Sequence, residues 1–431
     1  MSNIQASAPW QEHGQLVVSA NGHYIQHKDG TPFFWMGDTQ WVLNKMSDEH
    51  IGKLLDDRKE KGFSVIQVCA MRWWNLVTTK GDMTWSGTDA FEQPPFVDND
   101  VLHFNRPYWE RWRKLTDMAA TRGLFVMFMA GHPGRKEGSY YCRSIDECYQ
   151  YGRTLGEFFR GVPNLLYSAS MDFEGTMGVG VEGWRAIAEG ILAGDGGQDC
   201  FLTYHPYTSS SKWFHQDHWL KVNGIQGSRN ETPDNDILIY QRINADYNLS
   251  DPVKPVVLLE GSYEYERNNW DRLPPTTDRN IRMQFFYTFF AGAAGFTYGH
   301  CRNWQQFDSI AHLDSPGARQ VAIAKKFLVG HDFWKLRPDQ SVLADGEGRS
   351  ERRKAAVLSE DNSECMVFFP AQEEASIRLD KMRSCARVEA SWYNPKDGTY
   401  IQDAIYSVSG TYPFLPPCGW EDAILVLRSI D

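Results

Sequence analysis

Several signatures that would decide the class of this chain early are missing from it. No run of five like charges occurs and the net charge is −11. The clustered Lys and Arg that displace counterions from nucleic acid or an anionic membrane are therefore absent, and neither is an expected partner. No apolar stretch reaches the roughly 18 residues that a spanning helix needs. The segment Met1 to Gly14 lacks the basic and apolar regions of a secretory leader, so a cytoplasmic location is the expectation. Eight cysteines are present without a CxxC pair, and there is no HExxH; the usual zinc and redox motifs are not written here. Cys69 and Cys200 lie in apolar runs where a thiol packs as a small hydrophobe. Cys142 and Cys148 could bridge, but a reducing compartment favours two thiols.

What the chain has in quantity is aromatic surface. Sixteen Trp, nineteen Tyr and twenty-four Phe stand beside ordinary values of 42% hydrophobic and 23% charged residues. Core filling accounts for most of them; Trp on loops also offers flat apolar faces on which a sugar ring can stack.

From Pro32 to about Lys326, short apolar runs alternate with longer amphipathic stretches, the pattern of repeated βα units around a parallel sheet. Eight strand candidates can be read: Phe33–Met36, Val65–Ala70, Leu124–Ala130, Leu165–Ala169, Cys200–Tyr204, the short Gly224–Ile225, Pro255–Leu259 and Gly295–Tyr298. Helices are expected between them, as at Asp48–Lys61, Tyr108–Arg122, Ile145–Phe159 and Arg279–Ala291, with Ser47 as an N-cap before acidic Asp48 and Glu49. Eight such units predict a (β/α)8 barrel over residues 1–339, with a short N-terminal β segment. After the expected last helix, Ala318–Val329, β-type runs separated by turn residues predict a small C-terminal β-sandwich over 340–431.

Apolar side chains fill a barrel interior, so polar residues directly after each strand mark the C-terminal rim, where barrel chemistry sits. Here they follow every strand: Asp38 and Trp41, Arg72 and Trp73, His132, Asp172 with Glu174, His205 and Tyr207, Gln226, Glu260, then His300 and Trp304 beyond Tyr298. Such a rim suits polyol binding. Glycoside cleavage needs one carboxyl to protonate the leaving oxygen and a second as nucleophile or base. Glu260 closes the apolar run Val256–Leu259, and Asp172 closes Leu165–Met171. A charge there is costly unless it faces a cavity or a partner. These two are the catalytic candidates, with Glu174 as a substitute acid. Asp38 reads as a sugar ligand, a partner for Arg72 or a structural group. His215-Gln216-Asp217-His218 sets two imidazoles three residues apart and keeps a metal-dependent hydrolase open as an alternative, although no metal or other cofactor is expected.

The chain resembles the apiosidase-like glycoside hydrolases, which carry a C-terminal collagen-binding-like β domain. The resemblance rests on Asp29-Gly30-Thr31-Pro32-Phe33-Phe34-Trp35-Met36-Gly37-Asp38-Thr39-Gln40-Trp41, His205-Pro206-Tyr207 with Trp213-Phe214-His215, Pro255 to Glu260, and Ala291 to Gly299. It spans nearly the whole chain. The tail segment Trp392 to Gly398 looks like a turn of that family's second domain. The resemblance implies Asp172 as acid/base after strand four and Glu260 as nucleophile after strand seven. The chain departs from the family in two places: Ser170-Met171 stand where a Gly-Gly pair is usual, and Gly227-Ser228-Arg229 where Ser-Gly-His is common. The function expected is cleavage of a terminal glycosidic bond of an oligosaccharide with retention. A barrel that binds carbohydrate without turnover is the competing reading from another class.

Overall fold

The computed structural model describes residues 8–71, 87–131, 142–197, 200–227, 235–266, 275–305, 310–382 and 386–430. Eight parallel strands form its centre: β1 (Trp35–Thr39), β2 (Val65–Cys69), β3 (Phe125–Met129), β4 (Leu165–Ser168), β5 (Leu202–Thr203), β6 (Asn223–Gln226), β7 (Val256–Glu260) and β8 (Gly295–Tyr298). Their order is β5-β4-β3-β2-β1-β8-β7-β6, so β8 returns to β1 and the sheet curls into a barrel. At the seam between β5 and β6 the contacts include a bridge between Ser209 and Ile225, the Lys221 N–H donating to the Leu202 carbonyl at 2.9 Å and the Thr203 hydroxyl donating to the Val222 carbonyl at 2.9 Å. The helices that follow strands β1 to β8 include α1 (Asp48–Glu60), α2 (Arg106–Ala120), α3 (Ile145–Phe159), α4 (Gly180–Asp195), the single turn α5 (Ser211–Phe214), α6 (Asn235–Tyr247), α7 (Asp278–Phe290) and α8 (Pro316–Gly330); short turns at Pro9–Glu12 and Cys301–Gln305 are also helical. Ser47 caps α1 as its sequence suggests, accepting from the His50 N–H at 3.3 Å.

Strand alternation sorts the core into two shells. Trp35, Val65, Phe125, Met127, Leu166, Val257 and Leu259 fill the barrel interior. Ile66, Val68, Val126 and Phe128 face the helices on one side, and Met36, Val256, Leu258 and Phe296 on the other. Helices α3 and α4 approach so closely that only glycine fits between them. A Cβ on Gly152 would stand 2.2 Å from the Ile187 carbonyl oxygen, and one on Gly190 2.2 Å from that of Tyr149.

The strand boundaries correct one expectation. β1 begins at Trp35 rather than Phe33, since Pro32–Phe33 belongs to a three-stranded N-terminal sheet with Leu16–Val18 and Ile25–His27. Asp38 is therefore inside the strand, and alternation turns it away from the barrel mouth.

Beyond the barrel, six antiparallel strands run in the order Leu336–Pro338, Ala355–Ser359, Glu364–Phe369, Ala423–Ile430, Arg387–Tyr393 and Tyr400–Ser407. A second sheet joins Leu343–Asp345, Ala375–Arg378 and Thr411–Phe414. The six-stranded sheet packs on the barrel through one continuous cluster in which Phe286 stacks on Phe368 at 5.5 Å and Phe327 on Tyr393 at 4.0 Å. Behind the cluster, buried Arg282 of α7 reaches Asp422 and Glu421 at the start of Ala423–Ile430. Cys142 and Cys148 are both buried and free.

Candidate active site

The site is built where β4, β5, β6 and β7 end. Alternation alone would send Glu260 outward, because Leu259 already points into the barrel. The β6–β7 register slips at this point: Leu258 pairs with Ile225, and Glu260 pairs with Gln226. The extra residue turns both Leu259 and Glu260 inward, the re-aiming that a bulge provides beside a functional site. Gly224 makes the room, since a Cβ there would lie 2.5 Å from a methyl of Leu259. On β4 the chain turns after Met171, and Asp172 adopts a left-handed backbone with φ 53°. That conformation costs a non-glycine residue on the order of 1 kcal/mol and is held by its surroundings. Part of the hold is the Asp172 main-chain N–H, which donates to His205 Nδ1 at 3.4 Å.

The two carboxylates converge through Gln226. Its side-chain amide donates to Asp172 Oδ1 at 3.1 Å and to Glu260 Oε2 at 2.8 Å. His205, fully buried, lies between the same two groups. Nδ1 is 3.6 Å from Asp172 Oδ1 and Nε2 is 3.3 Å from Glu260 Oε2, the latter a close approach off the line of a hydrogen bond. With Nδ1 accepting from a main-chain N–H, the neutral ring carries its proton on Nε2, toward Glu260. On the other side the Tyr263 hydroxyl donates to Glu260 Oε1, and it accepts from the Trp41 indole N–H at 2.6 Å. Trp41 also stands edge-on to His205, with centroids 5.9 Å apart.

One oxygen each of Asp172 and Glu260 and one ring nitrogen of His205 lie within 4.8 Å of one another. A cation would find three donors there, but the Gln226 N–H projects between the carboxylates and gives that space to a hydrogen-bond donor. The imidazoles singled out in sequence do not converge: His215 is buried against Asn223 at 3.2 Å, and exposed His218 sits 2.8 Å from Glu189.

The remaining rim candidates divide. Glu174 accepts from the Thr208 hydroxyl at 2.7 Å and the Trp213 indole at 2.8 Å, and Tyr207 is exposed on the loop after β5. Asp38 is fully buried among the helices, where Arg58 of α1 pairs with it at 2.7 Å. Burial raises its pKa, against the pull of Arg58. Tyr298 points outward as well; its hydroxyl donates to Glu264 at 2.6 Å and its ring packs near Arg58. Neither Asp38 nor Tyr298 lines the mouth. Trp41, expected as a stacking surface for sugar, is 1% exposed and presents its N–H rather than its face. His300 is buried against His312 at 5.0 Å, and burial, with Coulombic pressure from His312, Arg58 and Arg302, holds its pKa down at about 3. Arg72, Trp73, His132 and the side chain of Trp304 lie outside the described residues. Tyr263 was not singled out in the sequence. Its signal was the run Gly261-Ser262-Tyr263-Glu264-Tyr265, which continues polar and aromatic past the strand end.

Comparison with known proteins agrees with this architecture. Residues 19–335 match the family described as apiosidase-like, catalytic domain, and residues 337–428 match a second family named for the collagen-binding domain of a collagenase. A solved glycoside hydrolase is 26% identical at a TM-score of 0.84, covering 98% of each chain. A family 5 glycoside hydrolase from Bacteroides vulgatus is 25% identical, also at 0.84, covering 98% of this chain and 95% of its own. A family 30 endoxylanase from Clostridium papyrosolvens, 11% identical at 0.50 over 92% and 97%, shares the fold alone. No curated protein matches. The barrel, its paired carboxylates and a match over most of the chain place this protein in the apiosidase-like family of glycosidases.

Proposed function

We propose that this chain hydrolyses a terminal glycosidic bond of an oligosaccharide with retention of configuration. The observation that carries the proposal is the spacing of Asp172 and Glu260, whose nearer oxygens lie within 4.8 Å. Retaining pairs stand about 5–5.5 Å apart, and inverting pairs about 6.5–9.5 Å, to admit a water. Asp172 donates a proton to the leaving oxygen while Glu260 attacks the anomeric carbon. Water then resolves the glycosyl-enzyme, with Asp172 as base. Two neighbours and one exposure support the roles: Gln226 and Tyr263 donate to Glu260 and keep it an anion, and the exposed edge of the site lies on the side of Asp172, where a leaving group exits. Tyr207 and Glu174, on the loops after β5 and β4, are the candidates to touch that leaving group.

The test is release of reducing sugar from a panel of plant and bacterial oligosaccharides by wild type, Glu260→Gln and Asp172→Asn. Each variant is expected to lose about 10²- to 10⁴-fold in kcat while staying folded, the range for a positioned acid or base. Activity surviving in Asp172→Asn would hand the acid role to Glu174. Sugar binding without release by wild type would favour a non-catalytic barrel, and loss of activity on dialysis against a chelator would favour metal-dependent hydrolysis.

A further inference from the structure

Trp41 and Tyr263 form a chain of hydrogen bonds that ends on Glu260, and its polarity is fixed by chemistry. An indole N–H donates and cannot accept. The Tyr263 oxygen accepts the Trp41 N–H at 2.6 Å, and the Tyr263 hydroxyl sends its own proton onward to Glu260 Oε1. All three side chains are at most 1% exposed, so bulk water does not compete for these bonds, and in such surroundings each bond strengthens the next. We propose that Trp41 and Tyr263 act as a coupled pair of positioning residues that commits the Tyr263 hydroxyl to donating toward Glu260. This holds the nucleophile ionised and turned for attack.

The inference rests on the reading of Glu260 as nucleophile and adds to it a role for a tryptophan that the sequence suggests as a sugar platform. Among the described residues, the other groups facing Glu260 are Asp172 from the end of β4, His205 from the end of β5 and Gln226 from β6. They are unchanged in the variants below, so a shift reports the relay. Removing a donor to a carboxylate favours its protonated form and moves its titration to higher pH.

Tyr263→Phe removes one oxygen from a ring that otherwise stays in place. It is expected to lower kcat about 10- to 100-fold with KM within about twofold, as for loss of a hydrogen bond to a charged group. The acidic limb of kcat/KM should rise by about one pH unit. Trp41→Phe is expected to move both in the same direction by less, about three- to tenfold in kcat. In the Tyr263→Phe background it should add less than about twofold, because the bond it served is already gone. A Trp41→Phe effect as large in that background as in wild type would mean packing alone and would overturn the relay. An unmoved acidic limb in Tyr263→Phe would do the same. A readout that needs no substrate and no Trp41 variant is the ¹³C titration of the Glu260 carboxyl in glutamate-labelled protein, assigned by its absence from Glu260→Gln. A raised midpoint in Tyr263→Phe supports the relay even where no glycoside is cleaved. An unchanged midpoint in an active enzyme overturns the relay and leaves the glycosidase standing.

Discussion

Replacing Arg282 with Met is expected to loosen the join between barrel and C-terminal sheets far more than an exposed ion pair would. The guanidinium is fully buried, gives Asp422 contacts of 2.9–3.2 Å, reaches Glu421 at 2.9 Å and donates to Gln320 at 2.6 Å. Asp422 is itself 1% exposed, so the substitution strands a carboxylate away from water. Breaking a buried pair by removing one partner costs about 3–5 kcal/mol. For 431 residues the unfolding entropy is about 0.9 kcal/mol per degree, so Tm should fall about 3–6 °C by calorimetry. Arg282→Met with Asp422→Leu removes both charges and should recover most of that loss, because an apolar pair of similar volume replaces the ion pair nearly neutrally. The pH dependence has a definite sign. Burial already raises the pKa of Asp422, and without Arg282 the protonated form is favoured further. A folded-state pKa above the unfolded one makes stability rise as pH falls, so the single variant's deficit should be greatest at neutral pH and shrink on acidification. A single variant within about 1 kcal/mol of wild type, or a double variant no better than the single, would refute this account of the interface.

Other perturbations separate structure from chemistry. Asp38→Asn leaves buried Arg58 short of its main counterion and should cost about 3–5 kcal/mol in denaturant unfolding, while kcat per folded molecule stays near wild type. His300, held neutral down to about pH 3, binds fewer protons folded than unfolded between that pH and 6.5, so it drains stability as pH falls through this window, by at most about 1.4 kcal/mol per pH unit. His300→Phe should therefore flatten the fall of Tm between pH 6.5 and 4. Gly190→Ala, which adds a good helix former, should nevertheless destabilise by more than about 2 kcal/mol, because its methyl would meet the Tyr149 carbonyl; equilibrium unfolding measures it.

The legible parts of this sequence were those where burial and chemistry disagree. Glu260 stood out because a charge closes Val256–Leu259, and the structure sets it fully buried beside Gln226. Asp38 carried the same signal and misled, because its partner Arg58 lies on the following helix and β1 runs on to Thr39 instead of ending at Met36, which puts Asp38 inside the strand on the face that Met36 turns to the helices. Strand Tyr400–Ser407 left no trace in the pattern. It is an edge strand exposed on both faces, so no alternation marks it. Tyr263 escaped for another reason: the polar and aromatic run after β7 marks it only as a residue past the strand end, whereas its importance is a hydrogen bond to Glu260 three positions away and one from Trp41 across the barrel, a pairing that sequence spacing does not encode.

The central claim is a retaining pair, and the configuration of the first-formed product tests it most directly. Proton NMR of the sugar released by wild type, recorded before mutarotation, should show the anomer of the substrate, as two successive inversions at the anomeric carbon require, the first by Glu260 and the second by water. Release of the opposite anomer would contradict the account and assign the two carboxyls to an inverting mechanism with a water between them.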